Sequence, residues 1–161
     1  YIVTYEESEF DTVADIIGRE NFDDTFMWQQ TLEQNRQELE ADPENAYLWF
    51  NVGTIYTKLG DYELAAVAYD KARQIGLPWR MLWYQFGPYE AYYQTGRYED
   101  VIELADVTLF QRPYFEESYT YRGKAKIALG EINSGKRDLE AAIEFNPRYE
   151  IAQDALAQLE Q

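Results

Sequence analysis

Carboxylates stand side by side at several places in this 161-residue chain, among them Asp23-Asp24 and Glu116-Glu117. Adjacent carboxylates are the raw material of a metal site or a general acid–base pair. Either use needs a second group held opposite them, and the sequence marks none. No Gly-rich phosphate loop occurs, and the chain has neither Cys nor His. That removes disulfides, thiol chemistry, finger-type zinc sites, Ser-His-Asp triads and imidazole catalysis. The plainer reading is that both pairs belong to helix starts or solvated loops, and the helix dipole favours acids at a helix start. We therefore expect no reaction on this chain, no metal and no cofactor.

The side chains that remain suit recognition. There are 15 Tyr, 8 Phe and 4 Trp. The net charge of −16 opposes binding to a phosphate backbone or to an anionic membrane, and favours basic or neutral partners. The charge is uneven: residues 1–44 hold 13 acids against 2 bases, so most of the acidic excess precedes residue 45. No run of about 18 apolar residues offers a membrane span, and no signal peptide is visible. The chain begins at Tyr1 rather than Met, so we expect a piece of a longer protein. Compartment and oligomeric state are left open: without its upstream sequence the chain fits a cytoplasmic or an exported protein.

These residues must be positioned by helices, because the chain repeats itself. A first segment runs from Ala46 through Gly60-Asp61 to Pro78, a second from Leu82 through Gly96-Arg97 to Pro113, and a third from Glu116 through Gly130-Glu131 to Pro147. Pro113 and Pro147 are 34 residues apart. A period of that length marks stacked helix pairs. The pattern predicts pairs at about 46–59 and 62–75, 80–95 and 98–110, and 116–129 and 132–144. Before them, 1–5 reads as a strand, 8–17 as a short helix, and 24–41 as a longer helix with Trp28, Leu32 and Leu39 on one stripe. After them, 148–160 reads as a terminal cap. The organisation expected is a junction at 1–23 and an array over 24–161, with repeats at about 46–81, 82–115 and 116–149 and a cap at 150–161.

Each turn Gly suits the left-handed conformation, and Pro113 and Pro147 end their helices. Close approach within a pair needs small side chains: Gly53, Ala65 and Ala72 in the first, Gly123, Gly135 and Ala142 in the third. Trp49, Tyr56, Tyr62 and Tyr69 fill the space around them. These residues resemble the tetratricopeptide repeat family. The first repeat gives Trp49, Val52-Gly53, Tyr56, Gly60, Tyr62, Ala65, Tyr69, Ala72 and Pro78; the third gives Tyr119, Gly123, Gly130, Ala142 and Pro147. The resemblance covers about 46–147 and implies an all-α, right-handed superhelical array of three helix pairs, with additional helices at both ends. The second repeat departs from it, with Tyr89 in the small slot and Pro88 where Leu is usual. We expect a long helix over about 80–95, kinked near Gly87-Pro88. The alternative is a helix that breaks and restarts with Pro88 in its first turn.

The resemblance also implies a use. Family members grip protein or peptide partners on the concave face lined by the first helix of each pair. Here that face would carry Tyr47, Phe50, Asn51, Thr54 and Lys58, then Trp83, Phe86, Glu90 and Tyr93, then Glu117, Thr120, Tyr121 and Lys124. An aromatic-rich groove for an extended peptide or partner loop is one reading. Rings packed on one another, or on the N-terminal segment, is the other. The clamp with which some members hold chaperone-tail carboxylates is absent, because its positions hold Phe50, Thr54, Gly87, Glu117 and Tyr121. The stretch 76–93 further resembles bacterial proteins in which such an array follows a papain-like domain of the bacteriocin-processing type. That resemblance implies an accessory domain that positions substrate or packs on a catalytic domain upstream.

Overall fold

The computed structural model of the chain describes residues 24–78, 80–81 and 85–159. The strand and short helix expected within residues 1–17 lie outside the described residues, as does Trp83. Among the described residues the helices are α1 (Asp24–Ala41), α2 (Ala46–Leu59), α3 (Tyr62–Ile75), α4 (Gly87–Gln94), α5 (Tyr98–Gln111), α6 (Glu116–Ala128), α7 (Ile132–Phe145) and α8 (Glu150–Gln158). The chain divides after Leu77 into two compact units. Within each unit every helix packs on the next.

The first unit holds α1 to α3. Asn45 caps α2, its side-chain oxygen accepting from the backbone N–H of Tyr47 (3.1 Å) and Leu48 (3.3 Å). Such a cap contributes about 1 kcal/mol. At the other end Gly60 takes φ 80°, a conformation that disfavours a Cβ, and Asp61 N–H closes the turn on Tyr56 C=O at 2.9 Å. The α2–α3 joint depends on Gly53: a Cβ there would stand 2.7 Å from two ring carbons of Tyr69. Tyr69 is 1% exposed. Its hydroxyl donates to Thr54 Oγ1 (3.2 Å) and lies 3.3 Å from Thr57 Oγ1. On the far side of α2, Val52 joins Leu39, Leu48 and Ala68 in an apolar cluster.

The second unit holds α4 to α8. Here the expected long helix over 80–95 is corrected: the chain makes one 3-10 turn at 80–81, and α4 starts only at Gly87 with Pro88 in its first turn. A first-turn proline loses no hydrogen bond, whereas an interior one loses a bond and clashes, at about 3 kcal/mol. Restarting the helix avoids that cost. At the α6–α7 joint backbone meets backbone: a Cβ on Gly135 would stand 2.5 Å from the Gly123 carbonyl oxygen, and one on Gly123 2.9 Å from the Gly135 carbonyl oxygen.

Ions pin the middle of this unit. Arg122 on α6 forms a two-pronged bond to Asp138 on α7 (2.9 and 2.7 Å) and a third bond to Asp106 on α5 (2.5 Å). Lys126 adds a second cation to Asp138 at 2.8 Å. Burial works against the Arg122 charge, but its bonds to Asp138 and Asp106 outweigh that and hold the guanidinium above its usual range. Among the described residues no helix is long and apolar enough to cross a membrane.

Candidate functional site

In the second unit α4 and α6 lie side by side. Residues i, i+4 and i+7 of a helix share a face. Phe86, Glu90 and Tyr93 form one such stripe at α4; Glu117, Tyr121 and Lys124 form the other, on α6. All six are partly exposed. Between the stripes stands Tyr89, with no exposed surface. Its ring stacks against Tyr121 (centroids 5.2 Å apart, planes at 14°) and against Phe86 (6.5 Å, 20°). Its hydroxyl donates to Thr108 Oγ1 of α5 (3.1 Å) and shares a hydrogen bond with Ser118 Oγ of α6 (3.2 Å). Burial pushes the phenol upward, and these two bonds only partly offset it, so the group stays protonated. Tyr89 is a fixed post on which two surface rings lean.

The charges follow from that frame. The Lys124 ammonium rests on Tyr93 (4.7 Å to the ring centre) and on Tyr121 (5.7 Å). Tyr93 meets Tyr98 edge-on at 5.3 Å, and burial, with Tyr98 second, raises its phenol. Glu117 makes no ion pair with a cation among the described residues. Burial raises its carboxyl, its own backbone N–H offsets this in part, and Glu116 adds to the rise. Glu116 itself accepts from Asn146 Nδ2 at 2.8 Å. Tyr149, just ahead of α8, is raised by burial first and then by Glu117, Tyr121 and Glu116.

The structure thus places Phe86, Glu90, Tyr93, Tyr121 and Lys124, all partly exposed, on two neighbouring helical stripes. Tyr47 and Lys58 are also accessible; the Lys58 ammonium lies 5.8 Å from the Trp28 ring. Four expected face residues need correction. Phe50, Asn51 and Thr54 are 2%, 5% and 8% exposed, and Thr120 is 1% exposed. Phe50 packs on Tyr69 at 5.1 Å, and the Thr54 hydroxyl takes the Tyr69 bond. The cause is that α2 has a neighbour on either side, α1 and α3, so most of its circumference is covered.

Sequence reasoning treats Tyr89 only as a departure from the repeat and misses Tyr149 altogether. The departure was the signal: a large side chain in a slot for a small one has to be accommodated somewhere. Elsewhere, a hollow of about 380 Å³ lies in the first unit, floored by Leu39, Val52 and Ala68 beside Trp49 and Tyr56. Among the described residues no cluster of three or more acids is placed to hold a metal ion.

Residues 36–67 match a family model described as Tetratricopeptide repeat. No curated protein sequence matches the chain. Solved structures do. The fragment of MamA from residue 41 to its end, from Desulfovibrio magneticus RS-1, is 14% identical with a TM-score of 0.72, over 94% of this chain and 81% of that one. The first TPR of Spaghetti (RPAP3), bound to the HSP90 peptide SRMEEVD, is 23% identical with a TM-score of 0.61, over 72% and 90%. The second TPR domain of human RPAP3, in complex with the HSP70 peptide SGPTIEEVD, is 20% identical with a TM-score of 0.60, over 73% and 99%. The helical architecture of the described residues, the Gly and Tyr joints and the family match over 36–67 agree: the chain has the fold of a tetratricopeptide repeat array.

Proposed function

We propose that this chain is a non-catalytic interaction module that receives a peptide or partner loop on the α4/α6 face of its second unit. One observation carries the reading. Phe86, Tyr93 and Tyr121 are presented together, partly exposed, around a Tyr89 that is fully buried and bonded through its hydroxyl to Thr108 and Ser118. Aromatic side chains held in place dominate binding energies, because little freedom is lost when a partner covers them. Two similar structures hold peptides, which supports peptide capture by this fold. Both of those peptides end in EEVD, and the clamp positions named above do not suit such a tail. Residues 24–161 form the binding array in this reading, and 1–23 its junction.

The test is the double variant Phe86→Ala with Tyr93→Ala. We expect unchanged far-ultraviolet circular dichroism and a loss of peptide affinity of at least about 30-fold, near 2 kcal/mol. A double variant that binds as the parent does would sink the assignment.

A second reading makes the chain the accessory part of a papain-like peptidase. The stretch 76–93, which carries that resemblance, is also where the two units divide and where α4 restarts. The intact mass of the endogenous protein separates the readings. A mass near 19.0 kDa leaves only the free-standing module.

A further inference from the structure

We infer that the partner of the α4/α6 face presents a basic side chain, and that Glu117 receives it. The inference rests on the groove reading above and adds the chemistry of the ligand. Buried and half-buried charges in the second unit are answered from within. Asp138 has Arg122 and Lys126, Arg97 has Asp100, and Lys124 has two rings. Glu117 has no cation among the described residues, although it is partly withdrawn from water. An unanswered carboxylate in such a place destabilises the fold. It suits a surface that is completed by its ligand.

The surroundings specify a cation of Lys or Arg type. Tyr121 stands one helical turn on, and Tyr149 feels the Glu117 charge from the head of α8. Aromatic faces attract ammonium and guanidinium groups. This face already demonstrates it, since Lys124 sits on Tyr93 and Tyr121. The chain's net charge of −16 draws cationic partners at long range and repels acidic ones. An acidic peptide laid along α6 would set its own carboxylate against Glu117.

The probe is a displayed library of random 12-residue peptides, selected against the full 161-residue chain. Winners are synthesised with acetylated N-termini, so that only side chains carry positive charge, and titrated by calorimetry. We expect winners rich in Lys or Arg. Replacing the critical base by Gln should weaken binding to the parent chain about tenfold, and should change nothing on Glu117→Gln. Glu117→Asp should keep part of the affinity, and circular dichroism should show both variants folded. Acidic or neutral winners overturn the inference. So does a base whose loss weakens binding equally on the parent and on Glu117→Gln. If Phe86→Ala with Tyr93→Ala loses the winners while Glu117→Gln holds them, the groove stands and the cation seat falls. If no peptide is selected, or winners ignore the Phe86 and Tyr93 substitutions, the groove reading fails and this inference fails with it.

Discussion

The first and second helix pairs solve one packing problem with the sizes exchanged. Seven residues before the turn glycine stands Gly53 in the first pair and Tyr89 in the second; nine residues after it stand Tyr69 and Ala105. Both tyrosines are buried, at 1% and 0% exposure. A joint between two helices therefore needs one large and one small partner, and either helix can supply the large one. The exchange has a consequence. Tyr69 bonds back to Thr54 and Thr57 of its own pair, whereas Tyr89 bonds forward to Ser118 of the next pair. The first tyrosine closes a pair; the second joins two pairs and props the rings of the candidate site.

A second contrast lies beside the first. Val52 and Ala68, in the first unit, sit in an apolar cluster. The matching positions in the third pair, one residue before Gly123 and one before Leu139, hold Arg122 and Asp138 in a bidentate ion pair.

The largest effect is expected from forcing the first joint to copy the second. Gly53→Tyr alone should cost about 3 kcal/mol, because the ring of Tyr69 already fills the space. Adding Tyr69→Ala should make the double variant more stable than either single one in urea unfolding. A double variant no better than the worse single would break the size-exchange account. Nearly as large is Arg122→Val, about 3 kcal/mol, since it strands Asp138. Arg122→Val with Asp138→Ala copies the first unit, and thermal unfolding should place it within about 1 kcal/mol of the parent. Tyr89→Phe removes the hydroxyl between Thr108 and Ser118 and should cost about 1–2 kcal/mol.

Smallest is Glu117→Gln. The Glu117 carboxyl is raised on folding, so the folded chain holds that proton more tightly than the unfolded one. Its contribution is most favourable below the ordinary carboxylate range and fades as pH rises through the raised value. At pH 7 the amide should therefore melt about 1–2 °C higher than the parent, and that gain should vanish near pH 4. A lower melting temperature at pH 7 would show that the folded protein does answer the Glu117 charge.

Most helix limits are legible in the sequence because Gly and Pro punctuate them. Helices α1, α2 and α3 run as the residue pattern predicts, and α5 to α7 differ by a single residue at their ends. The pattern misleads at 80–95, where apolar periodicity continues across Pro88 although the backbone does not. It also misleads at Phe50, Asn51 and Thr54, because helical spacing tells which residues share a face but not how many neighbours cover it. Nothing in the sequence marks Arg122, Asp106 and Asp138 as partners, since residues 16 apart leave no local trace of pairing. Glu117 and Tyr121 are legible as face residues; the Tyr89 post beneath them is not.

The forward reach of Tyr89 also orders events in time. The Tyr69 hydroxyl finds its partners 12 and 15 residues away, so the first pair can close on local contacts alone. The Tyr89 bond to Ser118 spans 29 residues, so the second pair is complete only once α6 has docked. Folding should begin with α2 and α3, and α4 should be the late element. In native-state hydrogen exchange, the amides of α4 should open more readily than those of α6.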